Sequence, residues 1–181
     1  MNTDTTIISS CRFNTERLLI EPWHTLLTDA AQKERLMSEL KTLLTPAVLK
    51  FLPEPLQPAD GHSALEEWVI ARDSESDVLC VRDISTNRFL GLLILAAFPE
   101  TDGTLVLRIG YFLVESAWHK GIATELLLGL VHWCKGQQHP MTLLGGVEKA
   151  NGASGAVLAK AGFAIDPDQS TNETETYQYS L

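Results

Sequence analysis

The stretch GYFLVESAWHKGIATELLLGLVHW, Gly110–Trp133, holds the residues best placed to grip an anion. An apolar run ending near Val114 reads as a strand, a short loop follows, and WHKGIAT opens a helix. The first turn of a helix leaves main-chain N–H groups unpaired and carries partial positive charge. Gly121 removes a side chain where a phosphate would come close, Ala123 keeps the next approach open, and Thr124 adds a hydroxyl donor. His119 and Lys120 add charge or hydrogen bonds beside them. The same residues also suit a plain tight loop before an amphipathic helix, and neither GxxxxGK[ST] nor GxGxxG is present.

A second turn, VEKANGASGAVLAKAGF at Val147–Phe163, follows another strand candidate. Asn151 can cap the short helix, and Ser154 lies in its first turn. Either both only cap and solvate the helix, or the two helix mouths face one crevice. Ligands of open α/β sheets favour such a place, and Asn151 and Ser154 would then reach one. Strand alternation puts Arg108 on the face of Gly110 and Phe112, opposite Leu107, Ile109 and Tyr111.

Other reactive residue types give less. His24, His62, His132 and His139 lack metal-ligand spacing, and Cys11, Cys80 and Cys134 lie far apart, so no metal site is expected. The thiols read as reduced, small buried residues, and Trp23, Trp68 and Trp133 as core.

The elements that position these turns follow from periodicity. Arg17–Trp23 reads as an opening strand, Thr28–Thr42 and His62–Arg72 as helices, and the Pro-rich Thr45–Gly61 as a loop flanking a site. Strands are expected at Val78–Arg82, Phe89–Ala97 and Thr104–Val114, then a helix at Ile122–Lys135 with Ile122, Leu126, Leu130 and Trp133 on one face. A strand at Met141–Val147, a helix at Ala153–Ala161 and a strand at Thr176–Leu181 close the chain, with DPDQSTNETE as an exposed loop. The order predicts one α/β (α+β) domain over 1–181, with a mixed, mostly antiparallel sheet and helices on both faces; residues 1–14 read as an N-terminal extension.

Charge and hydropathy narrow the partners. The formal net charge of −9, without a Lys/Arg cluster, argues against nucleic acid and favours a cationic amine. No apolar run nears the roughly 20 residues of a membrane span, and no basic-then-apolar start marks a leader, so a cytoplasmic protein off the membrane is expected.

Taken jointly, TERLLIEP at Thr15–Pro22, IGYFLVESAWHKGIATE and NGASGAVLAKAGF resemble the GNAT superfamily of N-acetyltransferases, within it the ribosomal-protein N-terminal acetyltransferase (RimJ/RimL-type) group. The resemblance runs from about Thr15 to the C-terminus. It implies a central sheet of about 6–7 strands with a splayed cofactor crevice. It also implies acetyl-CoA as co-substrate, its pyrophosphate held by the N–H groups of Lys120, Gly121, Ile122, Ala123 and Thr124, with His119 nearby. The pantetheine arm would pair along Tyr111, Phe112 and Leu113, Asn151 would contact the arm, and Ser154 would sit near the sulfur as proton donor. A main-chain N–H near Tyr111 or Phe112 would polarise the thioester. The acceptor implied is a primary amine, the α-amine of a protein or peptide. A polyamine, an aminoglycoside or an amino acid derivative is the alternative, as is a non-catalytic acyl-CoA sensor; a homodimer stays open. Related enzymes often carry a glutamate base where this chain has Arg108. That leaves proton loss through water, another carboxylate such as Glu148 or Glu115, or an anionic acceptor bound by Arg108.

Overall fold

The computed structural model describes residues 7–59, 61 and 63–181. Its centre is an eight-stranded sheet in the order β1-β2-β3-β4-β5-β6-β8-β7. The strands are β1 Phe13–Asn14, β2 Leu18–Pro22, β3 Asp77–Asp83, β4 Phe89–Pro99, β5 Leu105–Leu113, β6 Met141–Glu148, β7 Ala164–Asp166 and β8 Thr174–Ser180. Only β5 and β6 run parallel; the other neighbours are antiparallel.

Four longer helices cover the sheet: α1 Ala30–Leu43, α2 Ala64–Glu75, α3 Ile122–Gly136 and α4 Gly152–Lys160. Asp29 starts α1 by accepting the Gln32 N–H at 2.9 Å, and α1 buries Leu36, Leu40 and Leu43. Beside them Glu39 takes a fork of hydrogen bonds from the buried Arg82, at 3.0 and 2.7 Å. In α2, Trp68 meets the Phe112 ring at 6.4 Å, so α1 and α2 lie on the Phe112 face. On the opposite face, Leu158 of α4 is the nearest neighbour a Cβ at Gly145 would meet, with Ile109 next. The packed side of α3 is wider than the expected line: Ile122, Leu126, Leu127, Leu130, Val131 and Cys134 are buried, and the half-buried Trp133 packs against the same core.

Most expected elements are present with shifted ends. The sheet exceeds the expected 6–7 strands because β1 and β7 are too short to show a period. The Pro-rich loop contains a helical turn, Pro46–Leu49, and a 3-10 turn, Glu54–Leu56. Strand β8 begins two residues before the expected Thr176, because pairing with β6 draws in Thr174 and Glu175. His62, read as the start of a helix and as a non-ligand, lies outside the described residues, as do 1–6. Within the segment 1–14, Ile8 and Cys11 are buried.

Candidate functional site

The site begins where two parallel strands part. β5 pairs with β6 only from Leu105↔Met141 to Arg108↔Leu144. Beyond Arg108, β5 stays with β4 as far as Leu113 and β6 stays with β8 as far as Glu148. The hydrogen-bond alternation of a strand decides which groups face the gap. Val114 N–H bonds Leu90 O towards β4, whereas Leu105 N–H bonds Pro140 O on the other side. Ile109, Tyr111 and Leu113 therefore turn their main chain to the gap, while the amide of Phe112 turns to β4. By the same count, Leu181 N–H bonds Met141 O, and Lys149 N–H bonds Glu173 O, both on the β8 side of β6. Gly146 and Glu148 thus face the gap from the opposite wall. An open strand edge of this kind is a template for an added extended chain.

The mouth of α3 lies past the end of β5. Gly121 starts the helix at φ 74° and His119 sits at φ 57°, both left-handed. Among the described residues, no main-chain N–H from His119 to Thr124 has a hydrogen-bond acceptor; the first to find one is Glu125, on Gly121 O at 3.0 Å. Successive free amides around left-handed residues form a concave anion nest, reinforced by the helix dipole. The approach is held from several sides. Trp118 donates its indole N–H to Leu113 O at 2.8 Å, Thr45 donates to Glu115 at 2.6 Å, and Arg88 donates to Ser116 at 2.9 Å.

The sequence reasoning missed the clamp behind this nest. Arg17 donates through Nε to Glu125 Oε2 at 2.6 Å and through Nη1 to Lys120 O at 3.1 Å. Its other terminal nitrogen, Nη2, lies 3.7 Å from where a Cβ on Gly121 would stand. Glu125 also accepts from Thr15 Oγ1 at 2.5 Å and from the Arg17 N–H at 2.9 Å. Burial would raise the Glu125 carboxyl pKa, but the Thr15 and Arg17 hydrogen bonds outweigh it and hold the pKa below the usual value. The partners are 108 residues apart, so no spacing could announce them. Their only trace was the Thr-Glu-Arg-Leu start and a glutamate in the first turn of α3.

The remaining expected residues divide between the two faces. Tyr111 donates its phenol O–H to Ser154 O at 3.5 Å, and burial pushes that phenol up to about 12. Asn151 accepts the Ser154 N–H at 3.2 Å through its side chain and so caps α4. Phe112 is buried against Trp68. Arg108 is exposed on the other face, its guanidinium 5.7 Å from the centre of the Phe98 ring. Of the carboxylates weighed as a base, Glu115 is hydrogen-bonded to Thr45 and Glu148 is exposed at the end of β6. Among the described residues, no cluster of three or more His, Cys, Asp or Glu could hold a metal, and no helix is long and apolar enough to cross a membrane.

Residues 17–164 match the family model described as the acetyltransferase (GNAT) domain. The fold is similar to an acetyltransferase (GNAT family) from Bacillus anthracis, with TM-score 0.71 and 17% identity over 94% of this chain and 98% of that one. It is also similar to RimL, a ribosomal L7/L12 alpha-N-protein acetyltransferase in complex with coenzyme A, with TM-score 0.68 and 15% identity over 94% and 98% of the two chains. A third likeness is the acetyl transferase from Salmonella typhimurium that modifies the N-terminal serine of 50S ribosomal subunit protein L7/L12, at TM-score 0.65 and 16% identity over 92% and 96%. At these identities the likeness is one of fold. No protein of curated function matches the chain.

Proposed function

Because this chain belongs to the acetyltransferase (GNAT) domain family and is an acyltransferase, we propose that it moves the acetyl group of acetyl-CoA onto a primary amine, the α-amine of a protein or peptide. The observation that carries the proposal is the row of unpartnered amides from His119 to Thr124 beside an open strand edge. That pair of features fits a pyrophosphate followed by an extended, amide-bearing arm. The likeness to RimL bound to coenzyme A supports the cofactor, and the two L7/L12-modifying neighbours support a protein α-amine.

In this reading the amides of Lys120 to Thr124 hold the pyrophosphate. The arm lies along Tyr111–Leu113, touching Asn151. A neutral amine attacks the thioester carbonyl carbon, the C–N bond forms, and the C–S bond breaks. The gap-facing Tyr111 N–H stabilises the oxyanion, a contribution of roughly 3 kcal/mol for one such donor. The Ser154 hydroxyl gives the departing sulfur its proton and regains one from solvent. The ammonium loses its proton to water or to Glu148. With its pKa raised to about 12, the Tyr111 phenol stays protonated at neutral pH and does not serve as a phenolate base. The free, buried state of all three thiols supports a reducing, cytoplasmic setting.

Two measurements test this. Coenzyme A at about 100 times its Kd should stabilise the fold by about 2.7 kcal/mol and raise Tm, whereas ATP and NAD should not. Gly121→Val forces a branched side chain into φ 74° at the nest and should abolish that rise. Acetyl-CoA with an amine panel should then release free coenzyme A thiol. Failure of coenzyme A to raise the wild-type Tm, or an undiminished rise in Gly121→Val, would sink the proposal.

A further inference from the structure

We infer that the acceptor carries a carboxylate close to its amine and that Arg108 binds that carboxylate. The inference rests on the transferase reading above and narrows the acceptor of the same site.

Every other arginine has a polar partner. Arg12 pairs with Glu21, Arg17 with Glu125, Arg35 and Arg82 with Glu39, and Arg72 with Glu75, while Arg88 donates to Ser116. Arg108 alone has no hydrogen-bond or ion-pair partner among the described residues, although the chain carries 23 acidic side chains against 14 basic ones. Its guanidinium rests on the Phe98 ring, which is itself 49% exposed. Phe98 lies on the same face of the sheet, on the neighbouring strand, because Ala96 is opposite Arg108 and Phe98 opposite Val106. A ring beneath a guanidinium fixes the plane of the fork and leaves its edge N–H groups free for a planar anion.

Place and charge agree with that role. Arg108↔Leu144 is the last pair before the strands part, so Arg108 stands at the closed end of the gap. It projects from the face opposite Tyr111 and Ile109, away from Ser154 and α4. On this face Arg108 itself is exposed, so an acceptor that reaches the closed end of the gap from this side would meet its guanidinium. The net charge of −9 draws an ammonium towards the protein but repels a carboxylate. A single free guanidinium at the gap reverses that repulsion locally, and an Arg–carboxylate pair can be bidentate. A zwitterionic acceptor satisfies both fields. Arg108 cannot take the amine proton, since a guanidinium stays charged at neutral pH. Its work is binding and selection.

The carboxylate could be that of a free α-amino acid or an acidic side chain next to a peptide N-terminus. Matched acceptors separate them: serine against serinamide, and a peptide beginning Ser-Asp against one beginning Ser-Asn. Thiol release from acetyl-CoA gives kcat and KM for each. The acidic member of at least one pair should be preferred by roughly tenfold or more, through KM. Arg108→Gln should erase that preference, Arg108→Lys should keep part of it, and both should retain the coenzyme A-induced rise in Tm. The pair that responds identifies the source. Equal use of both members by the wild type, or a preference that survives Arg108→Gln, overturns the inference and leaves the transferase standing. No thiol release from any amine, with the Tm rise intact, overturns the transferase reading and this one together.

Discussion

Glu125 shows how one side chain ties the turn before α3 to the rest of the fold. Its carboxylate sits in the first turn of α3, where an anion is favoured by the dipole, yet Thr15 and Arg17 claim it. Its pKa in the fold is depressed, so its contribution to stability is fully present above the ordinary value of 4.5 and is lost as pH falls through the folded value. Tm should therefore decline below about pH 4.5 with a component that Glu125→Gln removes, leaving a flatter acid limb in melts from pH 3 to 6. The same substitution should weaken coenzyme A binding at pH 7, because Arg17 is then no longer held against Lys120 O. An acid limb identical in both proteins would show that the clamp contributes nothing. At this scale the sequence pointed to the glycine turn before α3 but not to the side chains behind it. Gly121, Thr124 and Asn151 stand within a few residues of the turns they serve, whereas Arg17 reaches Glu125 only through the fold.

Between elements, β1 presses on α3 at Gly129. A Cβ there would stand 2.6 Å from Thr15 Cγ2 and 2.8 Å from Phe13 Cε2, too close for either. Thr15 cannot simply turn aside, because its hydroxyl is bonded to Glu125. Gly129→Ala, ordinarily favourable inside a helix, should instead destabilise the fold by about 1–3 kcal/mol and loosen the nest. Chemical denaturation and coenzyme A titration read the two effects. A variant as stable as the wild type would mean that β1 shifts at no cost. The long amphipathic α3 and the apolar β4 and β5 could be read from periodicity alone. β1 and β7 could not, since two and three residues hold no period and exist only by pairing.

The whole molecule decides what its cysteines do. Burial pushes the Cys80 and Cys134 thiols up to about 12, and burial also raises Cys11. A thiol in that state is neither ionised nor reachable at pH 8. The folded protein should therefore give no rapid reaction with a chromogenic disulfide reagent, and all three thiols should react after denaturation. A fast-reacting equivalent in the native state would contradict the packing. With none, thiol release from acetyl-CoA is read without background. The sequence alone settled what depends on near neighbours: the apolar periods of the strands and helices, the glycine before α3, the asparagine before α4 and the acidic balance. Only the tertiary structure decided where β5 and β6 part, which amides face the gap, that Arg17 stands behind the nest and that Arg108 has no carboxylate beside it. The division is physical, because periodicity and capping act within a few residues, while register and ion pairing join residues that only folding brings together.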